Sequence, residues 1–134
     1  MAEQVSSLLR RSVDHLREDV PDSYRLLVAE LGPIVVELDV GDEVFSVHSG
    51  ERLQVSDGAA QAPSVRIVTS RGTILDLIDA KVRLDEAVEA GGVSVRGSLD
   101  DIERAHSSLL AYVHAAVRAA ALPALLSELR AGTP

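Results

Sequence analysis

Apolar and polar residues alternate along Ile34–Val40, and this period of two restricts the fold more than any other feature of the sequence. One face of such a strand is aliphatic, whereas the other carries acidic side chains. The following Gly41-Asp42 is typical of a two-residue hairpin turn, because glycine adopts a positive φ at little cost. Folding the chain about this turn places Leu38 opposite Phe45. The segment therefore predicts an antiparallel hairpin with one continuous apolar face.

A second turn follows immediately. A three-residue loop, Ser49–Glu51, pairs Val47 with Leu53 and Phe45 with Val55, whereas a two-residue turn would place these apolar side chains opposite polar ones. The apolar pattern therefore selects the longer loop. The predicted inner face of the sheet consists of Val36, Leu38, Phe45, Val47, Leu53 and Val55.

Segments with helical periodicity lie on both sides of these strands. One helix ends at Pro21, and a second, with Asp22 as its expected N-cap, ends at Gly32-Pro33. A fourth strand, two short helices and a fifth strand lead to the longest helix, which Ser98 and Asp101 open as a capping box. We predict an α+β fold with a single five-stranded mixed sheet, a meander of four strands plus one returning strand, covered on one face by helices.

The length of 134 residues indicates a single domain over 1–134. Within it, 1–20 is interpreted as an extra N-terminal helix and 119–134 as a C-terminal helical extension. The most apolar segment, Leu109–Leu126, contains His114, Arg118 and Pro123 and is therefore not expected to span a membrane.

Composition argues against several classes of function. A net charge of −8 disfavours nucleic acid and anionic lipid as partners, so we expect at most transient membrane contact. The absence of cysteine excludes disulfides and thiolate chemistry. The charged N-terminal segment does not resemble a signal peptide, and we expect a cytoplasmic protein. Twelve arginines, one lysine and no asparagine indicate a GC-rich bacterial genome.

The sequence contains no recognisable catalytic motif. A nucleophile elbow, a H-E-x-x-H zinc motif and a phosphate-binding loop are all absent from it. The acidic cluster that opens the longest helix suits the helix dipole and needs no metal. We therefore expect no catalytic residue, no cofactor and no metal.

Two histidines lie on the longest helix. His106 belongs to its aliphatic stripe, and His114 follows two turns later near the edge of that stripe. A core histidine bonded to a neighbour is the simpler interpretation of His106. The alternative is a polar anchor for a ligand, because an unpaired buried polar group costs about 1–3 kcal/mol.

The segment 80–110, AKVRLDEAVEAGGVSVRGSLDDIERAHSSLL, resembles the sterol carrier protein 2 family of lipid-transfer domains. The resemblance rests on Ala80-Lys81-Val82, a short helix with a small residue at Ala87, and two glycines, Gly91 and Gly97, around a short strand. It extends over roughly 22–118. Three positions depart from the family pattern, namely Ala80, Arg83 and Glu89.

The resemblance implies an apolar tunnel between the sheet and the helices, with the two glycines allowing the chain to reverse between its walls. The side chains that it places along the tunnel are Phe45, Val47, Ile74, Leu77, Ile78, Val88, Leu109 and Val113. The alternative is that these residues fill an ordinary hydrophobic core and leave no tunnel.

The resemblance further implies binding, and transfer, of a lipid or another hydrophobic small molecule. The ligand classes that fit this expectation are fatty acids, acyl-CoA, sterol-like molecules and polyketide-like molecules. The first alternative is an accessory or enzymatic domain that acts on a hydrophobic biosynthetic intermediate, with His106 or His114 as proton shuttle. A homodimer through the helix that ends at Arg130 is the second alternative.

Overall fold

The computed structural model describes residues 4–41, 43–49, 52–79, 81–119, 123, 124 and 127. The predicted extension at 119–134 therefore lies almost wholly outside the described residues. The helices are α1 (Val5–Asp19), α2 (Pro21–Leu31), α3 (Arg71–Ile78), α4 (Leu84–Glu89) and α5 (Leu99–Arg118). The strands are β1 (Val35–Asp39), β2 (Val44–Ser49), β3 (Leu53–Asp57), β4 (Val65–Val68) and β5 (Ser94–Gly97).

The strands form one mixed sheet in the order β3-β2-β1-β4-β5. The α+β fold class and the five-stranded mixed sheet are confirmed. The meander, however, ends after β3, because β4 crosses over and pairs with β1 in parallel. A four-strand meander was therefore wrong in this detail, and β1 is the central strand.

The register is confirmed for the first hairpin and shifted in the second. Leu38 lies opposite Phe45, as predicted from the apolar alternation. Val47, however, lies opposite Val55, and Leu53 lies opposite Ser49, two residues from the predicted partner. A shift by two residues keeps every side chain on its own face, so the apolar pattern could not detect it.

Helices α1, α2 and α5 cover the inner face of the sheet and close the core. Leu16 of α1 and Ala115 of α5 are fully buried there. The buried cluster consists of Leu8, Val13, Leu16, Tyr24, Leu27, Leu31, Ile34, Val36, Leu53, Val65, Leu75, Ala111, Ala115 and Ala119. This cluster is thus aliphatic apart from one tyrosine, and Phe45 is a further buried aromatic side chain.

Side chains of α1 and α2 bind the backbone of the edge strand β3. The Tyr24 hydroxyl accepts a hydrogen bond from the Leu53 N–H at 3.0 Å, and Arg10 Nη2 donates to the Val55 carbonyl at 2.9 Å. Unpaired backbone groups on an edge strand invite pairing with other chains. These two contacts satisfy part of that edge.

The backbone N–H groups in the first turn of a helix have no partner within the helix. The starts of α2, α3 and α5 deal with these groups in two different ways. Ser70 caps α3 and Ser98 caps α5, each accepting from the N–H of the residue three positions on, and the cap at Ser98 was predicted from the sequence. Helix α2 instead begins at Pro21 with Val20 as N-cap, so the predicted cap at Asp22 was wrong. Proline suits this first position because it has no N–H to leave unpaired.

Gly97 ends β5 where the chain passes very close to β4. A Cβ at this position would lie 2.7 Å from the Ser64 carbonyl oxygen. Gly91, at φ +83°, ends the turn after α4, and a Cβ added there would meet nothing within 4 Å. The two glycines therefore serve different needs, close approach at Gly97 and a left-handed backbone at Gly91.

Candidate functional site: the aliphatic face of α5

Helix α5 packs through a face of small side chains. Ser108, Ala111 and Ala115 are its buried residues, and Ala119 is buried just beyond its end. Short side chains let α5 approach its main neighbour, α2, closely. Arg104 supports this packing, since its Nη1 donates to the Glu30 carbonyl at 3.3 Å near the end of α2.

The opposite face of α5 carries large aliphatic side chains and is exposed. Leu109 and Val113 are each 46% exposed, Leu110 is 47% exposed, Leu99 72% and Val117 81%. Within the described part of the chain, these are five of the eight exposed large hydrophobic side chains. Because large aliphatic side chains are seldom exposed together, this face of α5 is the candidate site.

Both histidines of α5 are exposed. The interpretation of His106 as a core histidine is wrong, because α5 turns its alanine face and not its aliphatic stripe toward the protein. His114 is likewise exposed on the same helix. Whether either histidine anchors a ligand stays a prediction.

The predicted lining residues fall into three groups by burial. Phe45 is only 1% exposed, and Val47 is half-buried against the core. Ile74 and Leu77 of α3 are also half-buried, whereas Val88 of α4 is 45% exposed like Leu109 and Val113. The side chain of Ile78 lies outside the described part of the structure.

Two open clefts occur elsewhere on the surface, and neither is lined by a predicted lining residue. One, of about 310 Å³, lies between α1 and β3 and includes Arg10, Arg17 and Arg52. The other, of about 330 Å³, lies on the outer face of the sheet and includes Arg66 and Arg96. Their charged walls suit polar contacts more than an aliphatic ligand.

On the outer face of the sheet, a buried carboxylate pairs with an exposed arginine. Glu37, 4% exposed, accepts hydrogen bonds from Arg66 Nε at 2.6 Å and from the Ala60 N–H at 3.0 Å. Buried carboxylates need such partners, because their desolvation is costly. The hydrogen bond from Ala60 to Glu37 holds the loop that follows β3 against the sheet.

The packing of α5 on α1 depends on a hydroxyl pair that the sequence did not suggest. Ser12, 2% exposed, donates to the Leu9 carbonyl, and its Oγ lies 2.7 Å from the Tyr112 hydroxyl. Burial raises the pKa of Tyr112 above its usual value, and the hydrogen bond to Ser12 partly offsets this rise.

A signal for the buried face of α5 was present in the sequence. Ser108, Ala111, Ala115 and Ala119 recur at spacings of three and four, which is the period of one helix face. The prediction instead took the stripe of large aliphatic side chains, which includes Leu109 and Val113, as the buried face. Small residues at helical spacing were thus the better indicator of helix packing here.

Within the described ranges, no group of three or more His, Asp or Glu side chains is arranged to hold a metal ion. The same residues include no helix that is long and apolar enough to cross a membrane.

No protein-family model and no curated protein matches the chain. Solved structures do match it over most of their length. A structure titled UbiJ-SCP2 ubiquinone synthesis protein superposes with a TM-score of 0.60 at 15% identity, covering 80% of this chain and 90% of the other. A sterol carrier protein domain 2 of Helicoverpa armigera gives a TM-score of 0.60 at 13% identity, covering 84% and 94%.

Sterol carrier protein 2 from Yarrowia lipolytica, in its apo form, gives a TM-score of 0.55 at 12% identity and covers 81% of this chain and 88% of its own. At such low identities the similarity establishes the fold alone. The chain therefore has the sterol carrier protein 2 fold, and the resemblance found in the sequence is confirmed at this level.

Proposed function

We propose that this protein binds, and transfers, an elongated hydrophobic molecule such as a lipid or fatty acyl group. The ligand lies along Leu109 and Val113 of α5, with side chains of α3 and α4 as the facing wall. The observation that carries this proposal is the exposure of these two large aliphatic side chains, while the same helix buries alanine and serine. A hydrophobic ligand would remove this surface from water.

The size of the exposed surface sets a limit on affinity. Completing the burial of the half-exposed Leu109, Val113 and Val88 contributes roughly 2–4 kcal/mol, since full burial of each contributes about 1.5–3 kcal/mol. Binding energy of that size alone corresponds to about millimolar affinity. Tighter binding therefore requires contacts with α3 and with the sheet.

Such contacts require movement of the helices. Phe45 is already buried, so a ligand reaches it only if the side chains that cover the inner face of the sheet move apart. We infer that ligand entry opens this cover and exposes Phe45 and Val47. The proposal thus places the ligand between the sheet and the helices, as the sterol carrier resemblance implies.

The similar structures support the ligand class. Two of them are sterol carrier proteins and one is a ubiquinone synthesis protein, and sterols and ubiquinone are hydrophobic molecules. Binding by burial needs no charged partner, which suits a site whose predicted lining is entirely apolar.

The test is binding of a fluorescent fatty acid to purified protein and to two variants, Leu109→Asn and Val113→Asn. Each variant keeps the size of the side chain roughly constant but makes the ligand wall polar, and we expect affinity to fall at least about fivefold, or 1 kcal/mol. Leu26→Asn is the matched control, because Leu26 is 53% exposed on α2. Equal affinities for all four proteins would refute this site.

An accessory or enzymatic role is the second proposal, and it rests on the exposure of His106 along the same helix as Leu109. A histidine beside a bound hydrophobic intermediate can transfer a proton near neutral pH. In that case His106→Gln or His114→Gln abolishes turnover of the intermediate but leaves its binding intact. Unchanged turnover in both variants would exclude this role.

A further inference from the structure

The most exposed aliphatic residues of α5 lie beyond the proposed ligand wall. With about 100° between successive residues of a helix, Leu99, His106, Leu110 and Val117 share an arc about 40° wide. The centre of that arc is offset by about 60° from Leu109 and Val113. Leu99 and Val117 are the two most exposed large hydrophobic side chains among the described residues.

The spacing along this arc is that of a helix–helix seam. Leu99 and His106 are separated by seven residues, and so are Leu110 and Val117. Apolar residues at such intervals favour packing against a second helix. Within α5 the seam runs almost the full length of the helix, from its first residue to its last turn.

The charges at the two ends of α5 favour a second copy of α5, packed antiparallel, as its partner. Asp100 and Glu103 lie near its N-terminus, and His114 and Arg118 lie near its C-terminus. When two copies of α5 pack antiparallel, the acidic end of each meets the basic end of the other. The two helix dipoles then point in opposite directions, which is also favourable. The acidic end disfavours an anionic bilayer as the partner.

We propose that α5 is the interface of a homodimer, in which two copies of the helix pack antiparallel about a twofold axis that passes the exposed side of the helix at the height of Ser108. In this register Leu99 faces Val117 of the second copy, and His106 faces Leu110. Glu103 of each copy lies beside His114 of the other. The interface leaves Leu109 and Val113 on the side of the proposed ligand.

Sedimentation equilibrium of the full chain, from about 5 to about 500 µM, measures the association directly. We expect a reversible monomer–dimer equilibrium. Leu99→Glu and Val117→Lys each place a charge in the seam twice per dimer and should lower the association constant at least about tenfold. Both substitutions suit the dipole at their end of the helix, so the fold is retained.

The double variant tests the register. Leu99→Glu together with Val117→Lys brings a carboxylate opposite an ammonium group at both ends, and association should recover in part relative to either single variant. Leu26→Glu, at an exposed position of α2, is the control and should leave association unchanged. Binding of the fluorescent fatty acid to the single variants should also be unchanged, which separates this proposal from the proposed function.

A wild-type protein that stays monomeric over the whole concentration range would overturn the dimer. Single variants that associate as well as wild type would show that another surface is used. A double variant without recovery would overturn the antiparallel register.

Discussion

At the scale of single residues, the direction of one buried hydrogen bond can be deduced from proton count. The Ser12 hydroxyl has one proton, which it donates to the Leu9 carbonyl at 2.7 Å. Its oxygen must therefore accept from the Tyr112 hydroxyl, also at 2.7 Å. Burial favours the neutral form of Tyr112 and raises its pKa, whereas the Ser12 hydroxyl, turned to donate to the ionised form, partly offsets this rise.

A pH dependence of stability follows from Tyr112. Because the pKa is higher in the folded state than the ordinary value of 10.0, stability is fully present below pH 10 and is lost as the pH rises toward the folded pKa. Tyr112→Phe should remove this alkaline loss while costing about 0.5–1.5 kcal/mol at neutral pH. Urea unfolding at pH 7 and above pH 10 measures both effects. An alkaline loss of equal size in the variant would contradict the assignment.

Gly97 lies where the backbone of β5 comes very close to the carbonyl oxygen of Ser64, and this contact can be tested by substitution. Gly97→Ala should destabilise the fold by about 1–3 kcal/mol, because the new methyl group meets the Ser64 carbonyl oxygen and forces β4 and β5 apart. Gly72→Ala is the matched control, since Gly72 lies in α3 with open space around it and alanine favours the helix. Urea unfolding should show opposite signs for the two variants, and a neutral Gly97→Ala would refute the clash.

At the scale of elements, the start of α1 depends on a side chain from the β1–β2 hairpin. The two carboxylate oxygens of Glu43 accept from the Val5 N–H at 2.7 Å and the Ser6 N–H at 2.9 Å. A carboxylate here satisfies unpaired donors and suits the positive end of the helix dipole. Glu43 therefore holds α1 against the sheet.

Glu43→Ala should loosen the first turn of α1 and cost about 1 kcal/mol. Hydrogen exchange of the amides of Leu8 and Leu9 should accelerate by about fivefold for that loss. Glu18→Ala, at an exposed position near the end of the same helix, is the control. Equal exchange rates in the two variants would argue against a role of Glu43 in holding the helix.

The orientation of α5 shows why its sequence was misread. Hydrophobicity ranks Leu109 and Val113 above Ala111 and Ala115, so the aliphatic stripe was interpreted as buried. In the structure, close packing against α2 selects the small residues instead. At a tight helix crossing, small side-chain volume thus mattered more than hydrophobicity. The large aliphatic side chains of α5 are therefore exposed and form the candidate site.

At the scale of the whole molecule, local patterns predicted the elements well and their long-range pairing less well. Alternation and turn residues identified all five strands and the first hairpin register. The parallel pairing of β4 with β1 could not be deduced, because no local signal distinguishes it from a fourth meander strand. Long-range pairing is decided by how the sheet and helices close one core.

The candidate site depends on the same long-range arrangement. The sequence resemblance named residues on three helices and one strand, but their degree of exposure follows from how α5 is rotated. Phe45 and Val113 illustrate the difference, since one is buried and the other is half-exposed. A ligand that contacts both would therefore require the cover of Phe45 to open as it enters.

The most direct test of ligand binding is native mass spectrometry of freshly purified protein, followed by solvent extraction of what is bound. We expect a discrete added mass that is released as a hydrophobic molecule and is lost in Leu109→Asn and Val113→Asn but kept in Leu26→Asn. A bare mass that stays unchanged after incubation with fatty acids, sterols and acyl-CoA would contradict a carrier role.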